Sequence, residues 1–362
     1  MKEELQPLPP QTCVETLAIL KQVARASRSL AELKGISLSI PNQNIFINTL
    51  ALQEAKASSA IENIITTQDE LFKEGVFPER DLNAAAKEIA RYAQALQARY
   101  HLIQEHHLLT ANHICEIQKI VDPKRPGFRK LPGTELKNAV TGVVVYTPPQ
   151  HADVIAELMG NLERYINDPE MSDCDPLIKM AILHYQFESI HPFYDGNGRT
   201  GRIINVLYLV LQGLLDIPVL YLSRHIIDTK NEYYQRLQAV RDNEAWEAWI
   251  LYMLEAVERT SRQTIQMING IRDGMHAYKT RIRGEFSFYS QDLITHLFTQ
   301  PYTKIDLLRA HLGVTRLTAT KYLDQLTAVG LLRKEKLGRN NYYVNVALYD
   351  LLASSEKGEE VR

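Results

Sequence analysis

The chain has 362 residues, with 41 Lys+Arg against 43 Asp+Glu and 45% hydrophobic residues, which excludes a disordered or fibrous protein and predicts about two or three globular domains. A net charge of -2 supplies no global field toward nucleic acid or an anionic bilayer, so any such contact must come from a local patch. Three cysteines, Cys13, Cys115 and Cys174, without a C-x-x-C, exclude a disulfide framework and fit a reduced cytoplasm.

The N-terminus, MKEELQPLPPQ, carries acids and prolines where a signal peptide needs a basic start and an apolar run, so none is expected. Apolar spacings near 3.6 dominate the first 270 residues, which predicts an N-terminal helical region over 1–110 and a helical core over 111–270. Within that core Pro126 to Gln150 gathers prolines and glycines around the β-branched run Val143 to Val145, the pattern of a β-hairpin or flap. Helices follow at Val154, Leu158, Leu162 and Tyr165, and at Leu177, Ala181, His184, Tyr185 and Glu188. The most apolar stretch, Ile203 to Leu220, is broken by Asn205, Gln212, Asp216 and Pro218, and reads as a buried helix ending near Asp216, not a membrane span. Beyond residue 285, Lys304 to Leu312 and Thr315 to Gly330 read as two helices, with two strand-like pieces around Gly338 to Asn341. That order predicts a winged helix over 285–350, ahead of a disordered tail over 351–362. The fold class expected is mainly α: a helical bundle with a β-hairpin flap and a small C-terminal winged-helix domain.

The stretch richest in chemistry is HPFYDGNGRTGR, His191 to Arg202, set between two helical patterns. Gly196 and Gly198 permit converging backbone N–H groups, and a helix starting near Asn197 adds its partial positive end, so a di- or triphosphate suits the loop. Arg199 and Arg202 share one face of the first turn and are placed to clamp phosphate oxygens. Asp195 is a hard oxygen ligand where a Mg²⁺ bridging phosphates would sit. His191 is the nearby group able to accept a proton at neutral pH. The spacing of Gly196, Gly198 and Gly201, with Asp216 twenty residues after Gly196, also satisfies a dinucleotide fingerprint, but that motif needs a preceding strand and residues 176–190 have helical spacing. No G-x-x-x-x-G-K-[ST] occurs, and His106, His107 and His113 lack the spacing of metal ligands.

HPFYDGNGRTGR resembles the signature of the Fic family, H-P-F-x-D/E-G-N-G-R-x-x-R, at every specified position, and the similarity extends over about residues 5–260. The resemblance implies an α-helical bundle and transfer of AMP from ATP to a hydroxyl of a protein. It would make His191 the base acting on a target Ser, Thr or Tyr, and Asp195 the Mg²⁺ ligand. Gly196, Asn197, Gly198, Arg199, Thr200, Gly201 and Arg202 would hold the nucleotide phosphates, with Phe193 a core anchor.

A second pattern, Ser58-x-x-x-Glu62-Asn63, is similar to the inhibitory motif S/T-x-x-x-E-G/N of that family's second class, and implies that Glu62 occupies Arg202 and disfavours the productive ATP pose. Thr141 to Pro149, with Val143, Val144, Val145 and Tyr146, resembles the flap whose strand edge pairs with the target backbone. Tyr233 and Tyr234 resemble residues lining the adenine pocket, whereas Arg241 departs from the Asn sometimes found after them. Self-association, with self-modification, is implied too. Removal of AMP from a modified protein, or another nucleotide as donor, is the related alternative. A different class is a DNA-binding regulator with a nucleotide-sensing Fic portion: residues 301–350 hold eight Lys/Arg and four acids, and Arg316, Lys321, Arg333, Lys334, Lys336 and Arg339 are placed to meet phosphates.

Overall fold

The computed structural model describes residues 5–12, 14–38, 42–76, 83–138, 141–337 and 340–354. The first half contains α1 (Leu17–Ser37), α2 (Asn44–Ile61), α3 (Gln68–Val76), α4 (Ala84–His106) and α5 (Ala111–Val121), then the strands β1 (Leu136–Lys137) and β2 (Val144–Tyr146). Next come α6 (Ala152–Asn167), α7 (Pro176–Ile190), α8 (Asn197–Leu211), α9 (Ser223–Asp228), α10 (Lys230–Asn243) and α11 (Trp246–Glu285). The C-terminal region is α12 (Gln291–Thr299), β3 (Tyr302–Thr303), α13 (Ile305–Leu312), α14 (Arg316–Ala328), β4 (Leu332–Leu337), β5 (Asn340–Asn345) and α15 (Val346–Ser354).

The helix starts follow local chemistry. Thr16, Thr110, Asp175, Ser290 and Thr315 each accept a hydrogen bond from a backbone N–H of the first turn they precede, which satisfies donors that a helix cannot use itself. Pro176 follows its cap at the first helical position, where the missing N–H costs nothing. The Thr110 cap is doubled by the His113 side chain, giving that histidine a local structural role.

The core is centred on α7 and α8. Every α7 residue from Leu177 to Ile190 is buried, as expected of a helix surrounded on all sides. α8 buries Asn197 and everything from Arg199 to Leu209. It stops at Leu211, short of the expected Asp216, because Gly213 takes the left-handed φ of 66° and ends the helix. Leu215, Ile217, Val219 and Leu220 are buried beyond that turn, so the apolar run continues as core without helical backbone. α1 packs along α11, where Gln22 donates to Glu258 at 2.8 Å.

The fold is thus mainly helical with two small antiparallel sheets. β1 and β2 form the hairpin expected within 126–150. β3, β5 and β4 form a three-stranded sheet in that order, with Tyr302 opposite Val344 and Lys334 opposite Tyr343. The 40-residue α11 runs without a break through 270–285, the interval expected to separate the core from the C-terminal unit. α15 is helical through Ser354, so four residues of the stretch expected to be disordered belong to an ordered helix. The remainder of that tail, 355–362, and Gly338 and Arg339 of the hairpin turn lie outside the described residues, as do residues 1–4. Among the described residues no helix is long and apolar enough to cross a membrane.

Candidate active site

His191 closes α7 in the left-handed conformation, φ 49°, and the short loop after it turns into the start of α8 at Asn197. Arg129 enforces this geometry from the segment ahead of the flap. Its buried guanidinium donates to the carbonyls of His191 (2.8 Å), Ile190 (3.3 Å) and Pro149, and its backbone N–H donates to Pro192 (2.8 Å). One arginine thereby satisfies the orphan carbonyls at the end of α7 and ties both ends of the flap to it. Burial pushes the His191 imidazole down to about 4, and the nearby Arg129 and Arg241 charges add to the effect. Its Nδ1 is buried, and the lowered proton affinity leaves the ring neutral near physiological pH.

The loop is locked from within. Phe193 packs between Phe128 and Phe187, while the Asn197 amide both accepts from the Phe193 N–H and donates to the Phe193 carbonyl, each at 2.8 Å. The Asn197 side chain is therefore committed to holding the turn, which leaves its backbone N–H as the group it can offer a ligand. Gly196 adopts φ 78°, which favours glycine. Asp195 projects outward, 69% exposed; its Oδ1 accepts from the Gly196 N–H at 2.6 Å and lies 3.5 Å from Arg199.

Arg199 and Arg202 are almost fully buried and share one carboxylate. Glu62 places Oε1 2.6 Å from Arg202 Nη2 and Oε2 3.2 Å from Arg199 Nε. Ser58 completes the grip, its Oγ accepting from Arg202 Nε at 2.7 Å and its carbonyl from Nη2 at 3.0 Å. Burial works against the Arg202 charge and is the largest single effect, but Glu62, Tyr233, Tyr92 and Glu188 together outweigh it and raise its affinity for the proton. Glu62 also lies directly over the loop, since a Cβ at Gly198 would come 2.5 Å from Glu62 Oε1. Sequence reasoning missed Glu88, a second partner of Arg199 from α4. It also missed how α2 is anchored: Glu54, fully buried, accepts from Tyr92 Oη at 3.0 Å, from the Ser223 N–H at 2.9 Å and from the Ser223 hydroxyl.

The other candidates are placed as follows. Gly201 faces α7, where a Cβ would come 2.6 Å from Glu188 Oε1 and 3.0 Å from the Phe187 ring. Its role in the structure is close helix packing. We expect Gly201→Ala to destabilise the fold by about 1–3 kcal/mol through overpacking, more than the roughly 1 kcal/mol that alanine gains in helix propensity; urea denaturation measures the balance, and a more stable variant would contradict it. Thr200 is buried with Oγ1 unpartnered. Tyr233 belongs to the core, its hydroxyl 2.9 Å from His184 Nε2 and its ring against Trp249, whereas Tyr234 is exposed. His184 also meets Asn205 at 3.0 Å, and burial holds it down at about 3. Val143, Val144 and Val145 of the flap are exposed, while Tyr146 turns inward. A cavity of about 430 Å³ lined by Glu232, Arg236, Glu247, Tyr252 and Glu255 shares no residue with this site.

Residues 20–101 match the family model described as Fic/DOC family N-terminal, 108–209 match Fic/DOC family, and 275–348 match Protein adenylyltransferase SoFic-like, C-terminal domain. Among curated relatives, protein adenylyltransferase fic-1 of Caenorhabditis briggsae is 29% identical over 140 residues, 38% of this chain and 25% of the relative. Protein adenylyltransferase Fic of Aedes aegypti is 29% identical over 147 residues, 40% of this chain and 27% of the relative. The chain thus spans about a quarter of the length of these relatives. A Fic family protein from Desulfovibrio desulfuricans G20 shares the fold with a TM-score of 0.58 and 21% identity, over 93% of this chain and 98% of that one. Fic-1 from C. elegans, residues 134–508, does so with a TM-score of 0.52 and 20% identity, over 69% and 73%.

Proposed function

We propose that this chain, which belongs to the Fic/DOC family, transfers AMP from ATP to a hydroxyl side chain of a protein and that Glu62 holds the site in check. The observation that carries the reading is the His191 imidazole next to a phosphate-suited helix start whose two arginines are both occupied by Glu62. The target oxygen attacks the α-phosphorus, its proton passes to His191, and the bond to the bridging oxygen breaks to release pyrophosphate. Backbone N–H groups at Gly196 to Gly198 and the start of α8 receive phosphate oxygens. Arg199 and Arg202, once released by Glu62, stabilise charge on the leaving group. The exposed valines of β2 present a strand edge to the target backbone.

Asp195 suits Mg²⁺, being an exposed hard oxygen donor beside an anion-binding helix start, and the ion takes few protein ligands when phosphate supplies the rest. Bound there, it would neutralise phosphate charge during transfer. Incubation with ATP labelled on the α-phosphate tests the reading; no label on any protein with either the native chain or Glu62→Gly ends it. Self-association and self-modification belong to the same reading, and labelling of the chain itself, with its mass in solution, checks them.

The C-terminal helices and hairpin we read as a winged helix that docks protein. Arg316 is paired with Asp306, Arg333 with Glu335 and Lys334 with Asp324, so three of the cations placed to meet phosphates already have partners. Leu317, at the start of α14, is 82% exposed. We expect a gel-shift assay at two salt concentrations to show no salt-dependent retention of DNA, whereas retention lost with added salt would favour a DNA-binding module.

A further inference from the structure

Tyr146 is the residue by which β2 touches the body of the protein. Its hydroxyl donates to the Ser189 carbonyl at 3.0 Å, two residues before His191. Its ring is covered by Arg241, whose Cζ lies 3.9 Å from the ring centre. Arg241 Nε donates to Ser189 Oγ at 3.3 Å and Nη1 to Gln238 at 3.2 Å, while Nη2 is buried with no hydrogen-bond partner. Among the described residues no carboxylate lies within ion-pair distance of this guanidinium. A cation so placed gains from the aromatic face, from the end of α7 and from the nearby Glu188.

The base of the flap is fixed by Arg129 at Pro149, three residues beyond Tyr146 on the same arm. Tyr146 and Arg241 therefore set how the strand stands relative to His191, and both are referenced to Ser189 on the helix that carries it. We propose that Arg241 is a positioning residue that registers the flap strand against His191 through Tyr146 and Ser189. This rests on the function proposed above, because register matters only if β2 presents a hydroxyl to that histidine.

Hydrogen exchange on the full chain tests it without requiring activity. Arg241→Gln should lower protection of the amides at 144–146 about tenfold, the loss of a partly desolvated cation–π contact. Arg241→Lys should restore most of it by returning a cation to the ring. Tyr146→Leu should produce the same loss, and the double variant should add nothing. Unchanged flap protection, or losses that add, would overturn the anchor. ATP failing to bind Glu62→Gly would count against the proposed function, while the exchange data would still judge the anchor.

A separate observation concerns the segment that carries Glu62. Tyr302 of β3 stacks on Phe72 of α3 with centroids 5.8 Å apart, and its hydroxyl donates to Asp69 at 2.5 Å. Lys73 pairs with Asp69 and lies 5.4 Å from the Tyr342 ring centre; the Tyr342 hydroxyl in turn donates to Glu335. α12 packs on α2. The C-terminal sheet thus grips α3 at Asp69, seven residues beyond Glu62, and Lys56 ties α2 to the start of α3 through Gln68 at 2.8 Å. We infer that the C-terminal module seats the inhibitory segment, an inference that rests on the inhibition by Glu62 proposed above.

Tyr302→Phe keeps the stack and removes the bond to Asp69. We expect lower exchange protection at 59–66 and ATP binding about tenfold tighter in the chain that keeps Glu62, the lower end of the worth of one hydrogen bond to a charged group. In the Glu62→Gly background the substitution should leave ATP affinity unchanged. Equal effects in both backgrounds, or none on exchange at 59–66, would overturn the coupling. ATP binding to neither background would instead count against the proposed function.

Discussion

Replacing Glu62 with glycine should raise ATP affinity by about tenfold to a hundredfold, on the scale of one or two charge-assisted hydrogen bonds at about 1.5–3 kcal/mol each. In the native arrangement the Glu62 carboxylate bridges both guanidiniums, at 2.6 Å from Arg202 and 3.2 Å from Arg199, and rests against Gly198. A triphosphate has to displace it from both arginines before it can use either. The same variant should be less stable without nucleotide. Arg199 keeps Glu88 and Asp195, but Arg202 is left with the neutral Ser58. Breaking a buried pair costs about 3–5 kcal/mol at most, and the partial exposure of Glu62 places this case toward the lower end. ATP with Mg²⁺ should restore the melting temperature of Glu62→Gly and move that of the native chain far less. Equal shifts for the two proteins would contradict the block.

Replacing His191 with alanine in the Glu62→Gly background should reduce transfer by about a hundredfold to ten-thousandfold, the usual worth of a positioned general base. ATP binding should survive, because the groups proposed to hold phosphate come from the loop and α8. The pH dependence is sharper than the substitution alone. Burial and two arginines hold His191 at about 4, so the base is unprotonated at every pH above that. The acid limb of kcat/KM should therefore fall near pH 4, well below the ordinary histidine value of about 6.5. Glu188, lifted by burial to about 7, titrates above both. A limb near 7 that disappears in Glu188→Gln would belong to Glu188, and one near 6.5 that persists would show a solvated His191.

Residues that carry chemistry in a short stretch were legible in the sequence. His191 to Arg202 combines glycines, arginines and a carboxylate at helical spacing, and the structure brings them to one helix start. The Glu62 to Arg202 contact was legible through the serine one turn earlier, since both point the same way from the end of α2. Long-range partners were not. Glu88 meets Arg199 across 111 positions, and nothing in its helix distinguishes it from a solvated glutamate. Arg129 reads as part of a basic loop, yet it is buried on backbone carbonyls, a partnership without a sequence signature. Glu54 looks like an ordinary helix acid and is held instead by two hydroxyls and an amide. The end of α8 was misread because the apolar run continues past Gly213, and burial alone does not tell helix from coil. Tyr233 was drawn into the core by His184 and Trp249, a packing preference that aromatic residues share with pocket linings.

Intact-mass analysis after incubation with ATP and Mg²⁺, run on the native chain, Glu62→Gly and Glu62→Gly with His191→Ala in the presence of a cell extract and α-labelled ATP, tests the site most directly. The site as described predicts adenylate on protein with Glu62→Gly, far less with the native chain, and none above background with the double variant. Adenylate transfer that persists without His191, or its absence from Glu62→Gly, would contradict it.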